Sequence, residues 1–222
     1  MKYEWRKKEK SLYLPKESPT IVEVPELSYL TIKGEGNPNM ASFSNAVAAL
    51  YKVSYTIKML PKKGIIPDGY YDYTVFPLEG FWDSKVPVTA EQPLNLDQLI
   101  YKIMIRQPDF VTTELVSEIK STRLASLATE LVDRIQFETI KEGRNLQMMH
   151  VGSYADEIHS FNKMDDYCKE MNLKKVGHQH KEIYVSDPKR VAPEKLKTVL
   201  RFPIHQIIII ENPVYLNGFL SS

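Results

Sequence analysis

The sequence predicts an α+β fold: tandem pseudo-symmetric β-α-β-β units with a mainly antiparallel sheet and a central cleft. Three observations predict it. The order strand, helix, strand, strand occurs twice along the 222 residues. The last strand of each copy ends alike, in Ile105-Arg106-Gln107-Pro108 and in Leu200-Arg201-Phe202-Pro203. Each unit is also too small to bury its sheet face and its helix alone. Two units must therefore pair, which leaves a groove along their junction, a common place for a ligand.

The elements follow in order. Arg6-Lys7-Lys8-Glu9-Lys10 reads as a short, solvated basic segment. Residues 20–33 (TIVEVPELSYLTIK) are rich in β-branched and aromatic side chains and predict a strand broken or bulged at Pro25. Residues 34–39 form a Gly/Asn/Pro loop. Phe43, Val47, Leu50, Val53 and Ile57 recur at helical spacing and predict a helix over 40–59, with Asn39 or Ser42 as N-cap and Pro61 as stop. Strands are predicted over 71–78 (YDYTVFPL) and 99–106 (LIYKIMIR), the latter stopped by Pro108. One long helix or two short ones cover 112–142, with Thr112 or Thr113 as cap and Gly143 as stop. The order then repeats: strand 146–150, helix 156–171, strand 180–186 and strand 196–201, stopped by Pro203.

This gives one domain over 1–205: a first repeat at about 18–110, a helical linker at about 111–143 and a second repeat at about 144–205. Residues 206–222 form a tail. Its run Ile207-Ile208-Ile209-Ile210 is strongly β-prone and would aggregate if left exposed. It must pack as an edge strand, seat in a partner subunit of a homo-oligomer, or belong to an extension foreign to the domain.

Composition narrows the function. Lys and Arg number 29 against 28 Asp and Glu, so no global field draws the chain to nucleic acid or an anionic membrane. No window approaches the roughly 20 apolar residues of a membrane span. The charged N-terminus lacks a signal-peptide core, which predicts a cytoplasmic location. The single cysteine, Cys168, excludes an intramolecular disulfide and reads as a small helix residue, not a catalytic thiol. His178 and His180 lie two apart on a strand without a third ligand, so no metal is expected. With no Gly-rich phosphate loop and no G-x-S-x-G element, neither nucleotide use nor serine-hydrolase chemistry is expected.

Three places could carry chemistry. Leu78-Glu79-Gly80-Phe81-Trp82 sets a carboxylate beside glycine and two aromatics; a strand end with core aromatics would read the same. In His180-Lys181-Glu182-Ile183-Tyr184, alternation puts Glu182 and Tyr184 on one strand face and Ile183 on the other. If the apolar face packs on the helices, Glu182 and Tyr184 face the groove; a solvated glutamate is the plain alternative. His150-Val151-Gly152-Ser153-Tyr154 passes from strand through glycine into a helix start, or is a simple turn.

Leu78 to Trp82, Met104-Ile105-Arg106-Gln107-Pro108-Asp109-Phe110-Val111, Glu182-Ile183-Tyr184-Val185-Ser186-Asp187-Pro188 and the following 190–198 resemble the motifs of the GyrI-like small-molecule-binding family, in order and spacing. The resemblance runs from about Tyr3 to Pro203 and is greatest to its stand-alone branch that hydrolyses cyclopropanoids, DNA-alkylating compounds with a cyclopropane fused to a flat dienone. Other relatives are effector-binding domains of regulators or gyrase inhibitors. No helix-turn-helix segment is present here, so direct nucleic-acid binding is not expected.

The resemblance implies a tandem β-α-β-β pair with a cleft and a cofactor-independent hydrolase. It places Glu182 in the cleft beneath aromatics, matches Trp82 to the aromatic after Leu-Glu-Gly, and matches His150 to Tyr154 with a cleft-lining segment. The family often has Trp where this chain has Tyr101. Trp82, Tyr184, Tyr154 and Phe110 would stack on a planar ligand, each aromatic pair adding about 0.5–1.5 kcal/mol. Glu182 would take the proton of the attacking water, as a carboxylate in a partly dry pocket is a stronger base. A Tyr hydroxyl would donate to the developing phenolate, and Glu79 would position the water or hold a tyrosine. The alternative is a non-catalytic binder of flat, hydrophobic or cationic molecules, with Glu182 as counter-charge.

Overall fold

The computed structural model describes residues 2–89, 92–124 and 127–207. Seven strands form one sheet: β1 (Thr20–Glu35), β2 (Leu78–Ser84), β3 (Leu99–Arg106), β4 (Gln136–Val151), β5 (Leu173–Lys175), β6 (His180–Tyr184) and β7 (Lys197–Gln206). Their order is β4-β1-β3-β2-β6-β7-β5, every ladder is antiparallel, and β4 also pairs with β7. Six strands thus close into a barrel, which removes the exposed edges that a sheet must otherwise protect. The two β-α-β-β units map onto each other by β1 with β4, β2 with β6 and β3 with β7. The helices α3 (Ala41–Lys58) and α6 (Glu157–Glu170) are the matching crossovers.

Register decides which side chains face where, because paired residues share a face. Leu30–Ile105 and Ile32–Ile103 point outward to the apolar stripe of α3, whose Ala46, Ala49, Leu50, Val53 and Ile57 are buried. Leu146–Phe202 and Met148–Leu200 point outward to Met164 and Cys168 of α6. The opposite face lines the barrel interior and is partly charged: Lys181, Arg201 and Glu79 are all at most 2% exposed.

The basic run Arg6 to Lys10 is exposed apart from the half-buried Glu9, but the apolar residues on either side of it are buried. The N-terminal segment forms α1 (Trp5–Lys8) and α2 (Lys10–Tyr13), whose Trp5, Leu12 and Tyr13 are buried while Lys7 and Lys8 stay exposed. The Trp5 indole N–H donates to the Val75 carbonyl at 3.1 Å, the Tyr13 hydroxyl to Glu79 at 3.2 Å and Arg201 to the Leu12 carbonyl at 2.6 Å. The segment therefore plugs the barrel.

Several elements differ from expectation, each for a local reason. Of the alternatives over 112–142 the two short helices form, α4 (Thr113–Thr122) and α5 (Thr129–Arg134), but residues 136–143 are strand instead of helix and stop. They are held extended by pairing with β1, from Gln136 opposite Thr31 to Gln147 opposite Thr20. The strand predicted at 71–78 starts only at Leu78; before it, Tyr71 and Tyr73 pack with Phe110 and with Tyr3, and one bridge joins Tyr73 to Tyr3. Pro25 does not break β1, because Val24 and Glu26 keep the same register around it. Pro203 does not stop β7, because β5 pairs with residues 204–206 beyond it. Met40 occupies the N-cap of α3 without a side-chain bond, in place of Asn39 or Ser42. Of the tail, Ile207 donates its amide to the Asn172 carbonyl at 2.8 Å, and Ile208 to Ile210 lie outside the described residues.

Candidate functional site

Between α3 and α6, above β2 and β6, lies an open cleft of about 1710 Å³. Drug-sized ligands occupy roughly 300–1,000 Å³, so this cleft has room for several fused or linked rings. Its floor alternates as strands must: Leu78 and Trp82 from β2, and His180, Glu182 and Tyr184 from β6. Phe43, Val47 and Tyr51 of α3 form one wall, and Glu157, Ile158 and Phe161 of α6 the other. The floor crosses the junction of the units, for Gly80 pairs with Glu182 and Trp82 with His180.

A hydrogen-bonded chain orients the floor. The Trp82 indole N–H donates to the Tyr184 hydroxyl oxygen at 2.9 Å, and that hydroxyl donates to Glu182 Oε2 at 2.8 Å. His180 Nε2 lies 2.9 Å from Glu182 Oε1, and a carboxylate can only accept, so Nε2 carries the hydrogen. Burial first, and then the charge of Glu182, raise Tyr184 well above the ordinary phenol range, so its hydroxyl stays protonated. Tyr154 stands edge-on to Tyr184 at 6.0 Å, while Phe43 and Tyr101 pack on Trp82 at 5.6 and 5.3 Å. Gly80 permits this packing: a Cβ there would lie 2.9 Å from the Trp82 indole nitrogen. Gly80→Ala is therefore expected to tilt Trp82 off the floor and weaken a stacked planar ligand about three- to tenfold, read by titrating the indole fluorescence.

Sequence reasoning missed Glu157. It sits in the first turn of α6, is 8% exposed, lines the cleft, and has no hydrogen-bond partner for Oε1 among the described residues. Burial, and next the charge of Glu182, push it up to about 9, so it is a neutral hydrogen-bond donor at pH 7. An acid in the first helical turn ordinarily reads as a partner of the helix dipole. The signal available was its apolar company, Tyr154, Ile158 and Phe161, three before, one after and four after it. Between the ordinary value near 4.5 and about 9, the folded chain holds a proton that the unfolded chain has lost. Stability must then fall as pH rises through that window, by at most about 1.4 kcal/mol per pH unit. Glu157→Gln is expected to remove this slope, gaining on wild type from pH 5 to 9 in chemical-denaturation series.

Four expected site residues stand elsewhere. Glu79 alternates to the barrel interior, 2.6 Å from the Lys181 ammonium, and accepts from Tyr13; holding a tyrosine is the part of its expected role that fits. Phe110 packs with Tyr70, Tyr71 and Tyr73 in an aromatic cluster outside the cleft lining. Tyr101 is buried behind Trp82 and Phe43 and supports the floor without lining it. His150 is 3% exposed, accepts at Nδ1 from Ser160 and donates from Nε2 to the Ser153 carbonyl, both at 2.9 Å. It braces the turn through Gly152, whose φ of +147° suits glycine, and so sets where α6 begins. Among the described residues no group of three or more His, Cys, Asp or Glu could hold a metal, and no helix is long and apolar enough to cross a membrane.

The comparisons agree with this architecture. A structure described as a hydrolase from Listeria innocua is 35% identical, covers 92% of this chain and 100% of its own, and superposes with a TM-score of 0.81. An uncharacterised conserved protein from the same organism matches at 35% identity, with the same coverage and a TM-score of 0.82. The EcmrR C-terminal domain shares the fold at 10% identity, covering 86% of this chain and 98% of its own, with a TM-score of 0.52. A search of curated proteins finds no match. The model of the GyrI-like small molecule binding domain matches residues 17–205, and the chain belongs to that family.

Proposed function

We propose that this chain is a hydrolase that opens the cyclopropane of cyclopropanoid-type, DNA-alkylating dienones by adding water, and so protects the cell. The observation that carries the reading is Glu182: an acceptor fixed by Tyr184 and His180 in the floor of a wide aromatic cleft, with a protonated Glu157 in the adjoining wall. A flat polycycle stacked on Trp82 and Tyr184 would present its strained carbon to a water held between the two carboxyl groups. Glu182 takes the proton of that water as its oxygen attacks, and Glu157 holds the water by hydrogen bonding. The 35% identity to a structure described as a hydrolase supports catalysis over binding alone.

A sequestering protein for flat cations is the second reading, favoured by the carboxylate set among aromatic faces. The protonation of Glu157 weakens it, leaving less negative charge to meet a cation. Paired neutral and cationic planar ligands of one shape, titrated into wild type and Glu182→Gln with the mixtures followed by mass spectrometry, separate the two. Hydrated product from wild type only supports the hydrolase. Intact ligand throughout, with the cation alone losing affinity in the variant, overturns it in favour of the binder.

A further inference from the structure

Ring opening of a dienone leaves negative charge on its carbonyl oxygen, and Tyr184 cannot meet it. Its hydroxyl proton is given to Glu182 and its oxygen already accepts from Trp82. A charged donor elsewhere in the wall is needed. Of the basic residues lining the cleft, Arg6, Lys85, Lys189 and Arg190 are exposed, whereas Lys175 is half-buried. Lys85 pairs with Glu35 at 2.9 Å, Arg190 with Asp187 at 3.4 Å, and Arg6 donates to the Val185 carbonyl at 2.7 Å. The Lys175 ammonium makes no ion pair or hydrogen bond with any described residue. It lies over the rings of Phe161 and Phe202, at 5.9 and 4.9 Å. The Phe161 ring meets His180 edge-on at 4.9 Å, and His180 holds Glu182, so the cation and the base front the same cavity from either side of that pair.

We propose that Lys175 binds the carbonyl oxygen of the ligand, so that the site selects planar conjugated carbonyl compounds and stabilises the oxyanion formed on ring opening. This rests on the hydrolase reading. Water oxygen bonds to the strained carbon, the ring C–C bond breaks, and its electron pair passes through the conjugated ring to the carbonyl oxygen. Glu182 takes the proton of the water, and the oxyanion, held by Lys175, is protonated to the phenol. Substrate and one water give one product. Burial lowers Lys175 below the usual lysine range against the pull of Asp165 on α6 and Asp83 on β2, so a ligand acceptor restores a bond the ammonium otherwise lacks.

The test uses a flat phenol, 4-nitro-1-naphthol, whose absorbance reports its ionisation when bound. Wild type and Lys175→Arg are expected to ionise the bound probe at lower pH than Lys175→Met, by about one pH unit or more, with the exposed-lysine variant Lys189→Met behaving as wild type. On a cyclopropane-fused dienone, Lys175→Met should lose about 10- to 100-fold in kcat with little change in KM, and Lys175→Arg should recover most of it. Identical probe titrations in wild type and Lys175→Met, or a shift lost in Lys189→Met instead, overturn the proposal. Dienone left intact by wild type with the probe shift present overturns the hydrolase reading and leaves the Lys175 carbonyl site standing. Normal turnover in Lys175→Met overturns Lys175 alone.

Discussion

If the proposed hydrolysis holds, Glu182→Gln is expected to slow turnover of a cyclopropane-fused dienone by about 10²–10⁴-fold in kcat. The amide keeps an oxygen to accept from Tyr184 and has the shape of the carboxylate, so the floor and its stacking surface persist. It cannot take a proton from water. A neutral planar ligand should therefore bind within a factor of about three of wild type, since the lost interaction is made only in the transition state. Steady-state kinetics with a parallel binding titration reads both. Retained kcat in the variant would assign the base elsewhere, and equal losses in kcat and ligand affinity would mean that Glu182 only shapes the cleft.

Lys181→Met destabilises the chain by about 3–5 kcal/mol, roughly 6–20 °C in Tm. Lys181 stands inside the barrel, 1% exposed, with Glu79 and Glu142 each 2.6 Å from its ammonium and the Tyr29 hydroxyl at 3.3 Å. Burial alone would lower its pKa, but the two carboxylates overcome this and leave it raised. Burial likewise works against ionised Glu142, yet Lys181 and Arg201 hold it below the usual carboxylate range. Removing the ammonium leaves two buried carboxylates facing each other, with Arg201 at 3.8 Å from Glu142 as the nearest remaining cation. Replacing Lys181 and Glu79 together by apolar residues should cost less than the single change, because the carboxylate that remains, Glu142, still faces Arg201 at 3.8 Å. A single variant that melts within a degree or two of wild type contradicts this picture of the barrel.

The strand alternation that put Glu182 and Tyr184 in the cleft also bore on Glu79. Read with the same period, Leu78, Gly80 and Trp82 share one face and Glu79 and Phe81 the other, so the alternation by itself separates Glu79 from Trp82. What the sequence could not show is that the far face is a closed interior with a lysine waiting in it. That depends on β4 meeting β7, a pairing between residues about fifty apart with no local signature. Residues 136–142 read as helix for the same reason: partners on β1, more than a hundred residues earlier, decide their conformation. Phe110 looked like a stacking residue, and Tyr101 like a site position through the family's tryptophan there, because sequence alone cannot tell a core ring from a ligand platform. Glu157 was hidden because its role depends on burial by the cleft walls.

The central claim is that water adds to the ligand at Glu182 in a cleft built from both repeats. Its most direct test is the product mass when saturating wild-type protein meets a cyclopropane-fused dienone in ¹⁸O-labelled water. A ring-opened product carrying one labelled oxygen is expected, formed by wild type and about 10²–10⁴-fold more slowly by Glu182→Gln. Quantitative recovery of the intact dienone from wild type, despite measured binding, would contradict it.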